Sequence, residues 1–179
     1  MGRPKCDLVV GGRAVVARLC ELLARRTREV VIVGRRPAGG AEGPVPVQAD
    51  DWPGKGPLGG IATGLHVAAG RAVCVVACDS IAMGGELLDF LLAGRDSWAA
   101  ATVLVNPRTG LVEPMPGVYE ASSLASIESA LRDERLSVTD WLAGSPAHRL
   151  AAPAALGEQF LGANTPEELA ALERQLRGD

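Results

Sequence analysis

Val15, Val16, Leu19, Leu22 and Leu23 recur at the three-and-four spacing of a helix with one apolar face, and the run Val30 to Val33 soon after reads as a buried strand. Val45-Pro46-Val47 is a short extended piece ahead of a Pro/Gly-rich loop, Asp50-Asp51-Trp52-Pro53-Gly54-Lys55. Gly59 to Ala69 reads as a helix packed closely through Gly60 and Gly64. Val73 to Ala77 is a near-continuous apolar run ending on Cys78-Asp79, the pattern of a parallel strand buried on both faces. Leu87, Leu88, Phe90, Leu91 and Leu92 predict a helix, and Ala99 to Val105 and Val112 to Tyr119 predict two strands. Pro114 and Pro116 place part of the second strand at an irregular edge, since proline has no N–H to give a ladder. Ser122 to Arg132 and Val138 to Leu142 read as helices, and a last strand near Phe160 leads into a helix from Pro166 to Leu176. The alternation predicts a mostly parallel, doubly wound α/β sheet in a single domain spanning residues 1–179.

Within that frame, one carboxylate stands out. Asp79 follows the apolar strand and so falls at the carboxyl edge of the sheet, where ligands of open α/β folds bind. A glycine-rich turn into a helix, Gly56-Pro57-Leu58-Gly59-Gly60, precedes it. Acid and turn together suit Mg²⁺ holding the phosphates of a nucleotide, because that ion takes hard oxygens and usually only one or two from protein. Bland readings stand beside these. In a chain with 22 glycines such a cluster arises cheaply, and Asp79 could simply cap the next helix. Asn164-Thr165-Pro166-Glu167-Glu168 reads fully as a helix start, with Thr165 as N-cap, Pro166 at the first position and Glu168 closing a capping box. Only Asn164 is left over there for ligand contact. His66 and His148 have no acid or nucleophile at a telling spacing, and no serine sits in a Gly-x-Ser-x-Gly setting, so acyl transfer has no support.

Composition narrows the partners. The formal charge of −3 and scattered arginines give no footprint for nucleic acid. No apolar run approaches the roughly 20 residues that span a bilayer, and nothing resembles a signal peptide, which predicts a cytoplasmic protein with no membrane contact. Cys6, Cys20, Cys74 and Cys78 form no Cys-x-x-Cys pair and read as core packing rather than a zinc site.

Order and spacing raise these segments above their separate readings. Met1-Gly2-Arg3-Pro4-Lys5, Asp50 ahead of Gly56-Pro57-Leu58-Gly59-Gly60, Cys78-Asp79, Glu113-Pro114 through Tyr119 and Asn164-Thr165-Pro166-Glu167-Glu168-Leu169 follow one another along nearly the whole chain. In this the chain resembles the molybdenum cofactor guanylyltransferases, nucleotidyltransferases of the nucleotide-diphospho-sugar transferase fold. The resemblance implies Mg²⁺-dependent transfer of GMP from GTP to molybdopterin with release of pyrophosphate, and possible transient contact with other molybdenum cofactor proteins. It implies Lys5 as the phosphate-binding lysine and Asp50, with Asp51 as the alternative, on the guanosine. It further implies Asp79 as catalytic acid and Mg²⁺ ligand, Gly56, Pro57, Leu58 and Gly59 against the nucleotide, and Asn164 on the acceptor side. Ser80-Ile81 replaces the proline-bearing stretch the family carries after its acid, and Val33 stands where some members have Asn. The family also begins with a strand and a glycine-rich phosphate loop ahead of its Met-Gly, so the sequence leads one to expect a chain that lacks its first strand and binds nucleotide weakly. The alternatives are a related cytidylyltransferase or sugar-phosphate nucleotidyltransferase, or a non-catalytic relative that only binds a ligand or partner.

Overall fold

The computed structural model describes residues 5–40 and 43–162, together with 168 and 174. In chain order it contains β1 (Val9–Val10), β2 (Arg13–Ala14), α1 (Val15–Ala24), β3 (Ile32–Val33), β4 (Val47–Gln48), α2 (Gly56–Ala68) and β5 (Val73–Val75). There follow α3 (Gly85–Ala93), β6 (Ala101–Val105), β7 (Val112–Tyr119), α4 (Leu124–Arg132), α5 (Val138–Ala143) and β8 (Ala147–Ala151). A four-stranded sheet has the order β5-β7-β6-β8, in which β7 runs against β5 and β6 while β6 and β8 are parallel. Three of its four strands therefore point the same way. β1 pairs with β2 and β3 with β4 in two small ladders, the second of them parallel.

Helices cover both faces, as alternation along the strands requires. Cys74 and Val118 face a core built with Leu19 of α1 and Leu87, Leu88 and Leu91 of α3. Val73, Val75, Ala101, Val103 and Tyr119 face a second core with Leu58, Ile61 and Leu65 of α2, Ile127 and Leu131 of α4, and Trp141 of α5. No helix among the described residues is long and apolar enough to cross a membrane.

Several expectations change on contact with the structure. The strand expected over Val73 to Ala77 ends at Val75, because the antiparallel register that pairs Val75 with Gly117 would next bring Val76 opposite Pro116, which has no N–H. Its residues are only half-buried, since among the described residues β5 pairs with β7 alone. β7 is not an edge strand but lies between β5 and β6. Its prolines are accommodated because the register jumps between Val103–Gly117 and Leu104–Glu113, so that Pro114, Met115 and Pro116 bulge out of both ladders. The glycine-rich stretch at 56–60 is itself the first turn of α2, which begins at Gly56 rather than at Gly59. Close packing there falls on Gly59, where a Cβ would lie 2.9 Å from Trp52 Cβ and 3.0 Å from its carbonyl oxygen, while Gly60 and Gly64 face open space. No strand forms near Phe160, which closes a 3-10 helix over Ala154–Phe160. Among the described residues the last strand is β8, where Ala147-His148-Arg149-Leu150-Ala151 offers too little apolar alternation to announce itself.

Candidate active site

Asp79 sits on a turn beyond the carboxyl end of β5, held locally by Ser80 N–H donating to Ala77 O at 3.1 Å and Ile81 N–H to Asp79 O at 2.8 Å. It does not cap the helix that follows. The N-cap of α3 is Gly84, and Gln159 reaches in from the 3-10 helix to accept from Gly84 N–H at 2.8 Å and Leu87 N–H at 3.3 Å. What fixes the chain after Asp79 is Arg18. From α1 its Nη2 donates to Ser80 O at 3.0 Å and Ile81 O at 2.6 Å, and its Nη1 donates to the carbonyl of Met83. Burial lowers its pKa, with Arg13 adding to the effect. A guanidinium remains charged under such a shift, and hydrogen bonds from a charged donor are the strong ones. This one side chain therefore supplies a brace where the sequence lacks the stiffening proline.

Asp79 opens onto a cavity of about 350 Å³. Ser80 and Met83 line it beside the acid, Glu113 to Pro116 form the wall from the β7 bulge, and Gln159 to Gly162 close the far side. Glu113 is set by Asn106, which is buried in the tight turn between β6 and β7 and donates from Nδ2 to Glu113 Oε1 at 3.0 Å. The same asparagine accepts Arg108 N–H on Oδ1 and Gly110 N–H on its carbonyl, so its side chain has no freedom to turn away. Tyr119, fully buried, donates from Oη to Pro114 O at 2.8 Å across the bulge. Gly117 makes that closure possible, because a Cβ there would meet Pro114 O at 2.5 Å. The spacing from Glu113-Pro114 to Tyr119 thus has a structural reason.

A second cluster forms around the start of α2. Asp50 Oδ1 accepts from Trp52 N–H and from Thr63 Oγ1, each at 2.9 Å, and the Thr63 hydroxyl in turn accepts Asp51 N–H at 3.0 Å. Thr63 is fully buried, so the Asp50 turn is pinned to the interior of α2. The helix begins with Lys55 as N-cap and no side-chain cap, and Lys55 itself pairs with Glu134. The N–H groups of Gly56 and Leu58 belong to an uncapped helix start, which favours an anion or an oxygen-rich ligand, while Gly59 N–H makes the first bond within the helix. His66 Nδ1 lies 2.9 Å from Asp51 Oδ2 and its Nε2 lies 3.0 Å from Glu128 Oε1. Its pKa is raised, first by the hydrogen bond to Asp51; burial opposes the shift and Glu128 adds to it.

Of the residues the sequence singles out, the structure thus places Asp50, Gly56, Pro57, Leu58 and Gly59 in one cluster and Asp79 on the cavity. Lys5 opens a 3-10 turn over Lys5–Asp7, and Asn164 lies outside the described residues. Arg18, Thr63, Asn106 and Glu128 are the residues that sequence reasoning missed, and with them the contact of Asp51, the alternative to Asp50, with His66. Every partner of Arg18 lies more than sixty positions away, which no local pattern reports. As a metal site, Asp79 offers a hard carboxylate with the Ser80 hydroxyl beside it, and no group of three or more His, Cys, Asp or Glu suited to a metal occurs among the described residues. That donor set fits Mg²⁺, which draws most of its shell from water and substrate phosphates, and does not fit zinc. Burial pushes the Cys74 thiol up to about 12, which keeps it protonated and out of metal chemistry.

Residues 1–152 match the family model of the MobA-like NTP transferase domain. The chain is 32% identical over 183 residues to a molybdenum cofactor guanylyltransferase of Cereibacter sphaeroides, covering 99% of this chain and 91% of the relative. It is 30% identical over 175 residues to a probable molybdenum cofactor guanylyltransferase of Pelotomaculum thermopropionicum, covering 94% and 83%. Among solved structures, the molybdopterin-guanine dinucleotide biosynthesis protein A of Archaeoglobus fulgidus superposes with a TM-score of 0.79 at 20% identity, covering 99% of this chain and 93% of that one. A 2-C-methyl-D-erythritol 4-phosphate cytidylyltransferase of Thermus thermophilus superposes with a TM-score of 0.69 at 21% identity, covering 97% and 94%, a likeness of fold.

Proposed function

Because this chain belongs to the MobA-like NTP transferase domain family and is a nucleotidyltransferase, we propose that it transfers GMP from GTP to molybdopterin, releasing pyrophosphate. The observation that carries the reading is Asp79, held on a braced turn at the carboxyl end of β5 and facing a cavity large enough for a small acceptor. The acceptor's phosphate oxygen attacks the α-phosphorus, a new P–O bond forms there, and the bond to the β-phosphate oxygen breaks as pyrophosphate leaves. Such a transfer needs positioning and charge neutralisation more than a protein nucleophile.

Each group then has a task. Asp79 holds Mg²⁺, which when bound withdraws charge from the triphosphate. Lys5 places a cation on the phosphates. The opening turn of α2, Gly56 to Gly59, brings backbone N–H groups to the nucleotide, and Asp50, fixed by Thr63 and Trp52 N–H through Oδ1, turns Oδ2 to the donor edge of guanine. Asn164 serves the acceptor side.

The nucleotide choice is tested by titrating GTP, CTP and ATP in the presence of magnesium. GTP is expected to bind more tightly than CTP by about 1–3 kcal/mol, the cost of buried hydrogen-bonding groups left unpaired by the wrong base. Equal affinities would reject guanosine as the preferred nucleoside, and a preference for CTP would make the enzyme a cytidylyltransferase.

A further inference from the structure

We propose that Glu113 reads the donor edge of a 2-amino-4-oxopyrimidine ring, the pterin of the acceptor, bound in the cavity beside Asp79. The inference rests on the guanylyltransferase reading and specifies its acceptor subsite. Glu113 and Asp79 are the two carboxylates on this cavity, and they are held differently. Oε1 of Glu113 accepts from Asn106 Nδ2, while Oε2 has no partner among the described residues. The carboxylate is thus fixed in orientation with acceptor capacity to spare. A ring carrying N3–H beside an exocyclic amino group presents two parallel N–H donors, which match a carboxylate as a guanidinium fork does. The remaining walls suit the faces of such a ring. Met83, Pro114, Pro116 and Phe160 are apolar, and a cavity of about 350 Å³ lies at the lower end of the range for small-molecule sites.

Guanine carries the same donor edge, so the ligand chemistry has two sources. The placement favours the pterin, because no residue of the segment 50–60 that we assign to the nucleotide lines this cavity. Asp79 shares the cavity, which keeps a ring bound there close to the acid that serves the transfer. The Pro114–Tyr119 hydrogen bond and the Asn106 turn are then the devices that present Glu113 at a fixed position.

The test is calorimetric titration with free pterin, with lumazine, in which a carbonyl replaces the 2-amino group, and with GTP plus magnesium, on the wild-type chain and on Glu113→Gln. Gln keeps the shape and can still accept from Asn106, but puts a donor where the ring also donates. The wild type is expected to prefer pterin over lumazine by on the order of tenfold. Glu113→Gln should lose that preference while GTP affinity, magnesium dependence and melting temperature stay unchanged. Equal binding of pterin and lumazine by the wild type would overturn the proposal. So would a Glu113→Gln variant that keeps the preference, that weakens GTP binding instead, showing a carboxylate that reads guanine, or that shifts the magnesium dependence, showing a metal ligand. Absence of GTP binding by the wild type would strike the guanylyltransferase reading, and the pterin preference would still decide this one.

Discussion

Arg18 on α1 and Ile81, two residues past Asp79, are joined by a 2.6 Å hydrogen bond from guanidinium to carbonyl, one of three that the same side chain makes to the turn. A charged donor spent on backbone carbonyls, with no acidic partner among the described residues, is an expensive way to hold a loop unless the loop's position matters. Arg18→Met keeps the packing stem and removes the donors. It is expected to cost about 1.5–3 kcal/mol in denaturant unfolding and to raise the magnesium concentration needed for half-maximal transfer, because Asp79 loses its fixed frame. A stability within about 0.5 kcal/mol of wild type, with unchanged magnesium dependence, would show that the contact holds nothing.

The His66 bridge predicts a pH dependence. Its folded pKa lies above the ordinary value of 6.5, chiefly through Asp51, so its contribution is complete below that unfolded value and fades as pH rises through the higher folded one. All three groups are partly exposed, with His66 at 37%, so solvent screening limits the effect to about 1 kcal/mol or less. Between about pH 6 and about pH 8 the wild type should lose slightly more stability than His66→Gln. Parallel profiles for the two proteins would contradict the bridge.

The β7 bulge predicts a graded pair of variants. Tyr119→Phe removes only the hydrogen bond to Pro114 O and should cost about 1 kcal/mol. Gly117→Ala forces a methyl against Pro114 O and the Tyr119 ring, and should cost about 1–3 kcal/mol while displacing the wall that carries Glu113. Thermal unfolding ranks the two. A neutral Gly117→Ala would mean that the bulge is loose.

How much of this was legible in the chain follows from how local each signal is. Among the described residues, α1 and α3 announce themselves by apolar spacing, α2 is read from its small residues, and Asp79 stands out by the apolar run before it. The end of β5 at Val75 was not legible, because it depends on which residue of β7 lies opposite, and that residue is a proline some forty positions away. β8 stayed hidden because His148 and Arg149 interrupt its alternation, although it lies parallel to β6 along its full length. The close contact at Gly59 required knowing that Trp52 folds back onto the helix start. For the candidate site, motif order singles out the acid and the glycines as candidates, and it carries no sign of the groups that hold them in the fold. Arg18, Thr63, Asn106 and the partners of His66 act through contacts that only the folded chain creates.

On the function proposed above, this chain moves GMP onto molybdopterin at a magnesium site organised by Asp79. The most direct measurement incubates the protein with magnesium, molybdopterin and GTP labelled at the α-phosphate, and follows label entering the dinucleotide together with pyrophosphate release. Wild type is expected to transfer label from GTP in preference to CTP. Asp79→Asn, which preserves shape, is expected to melt at the same temperature and lose transfer by a factor of roughly a hundred or more. Transfer that persists undiminished in Asp79→Asn, or that takes label from CTP and not from GTP, would contradict the account.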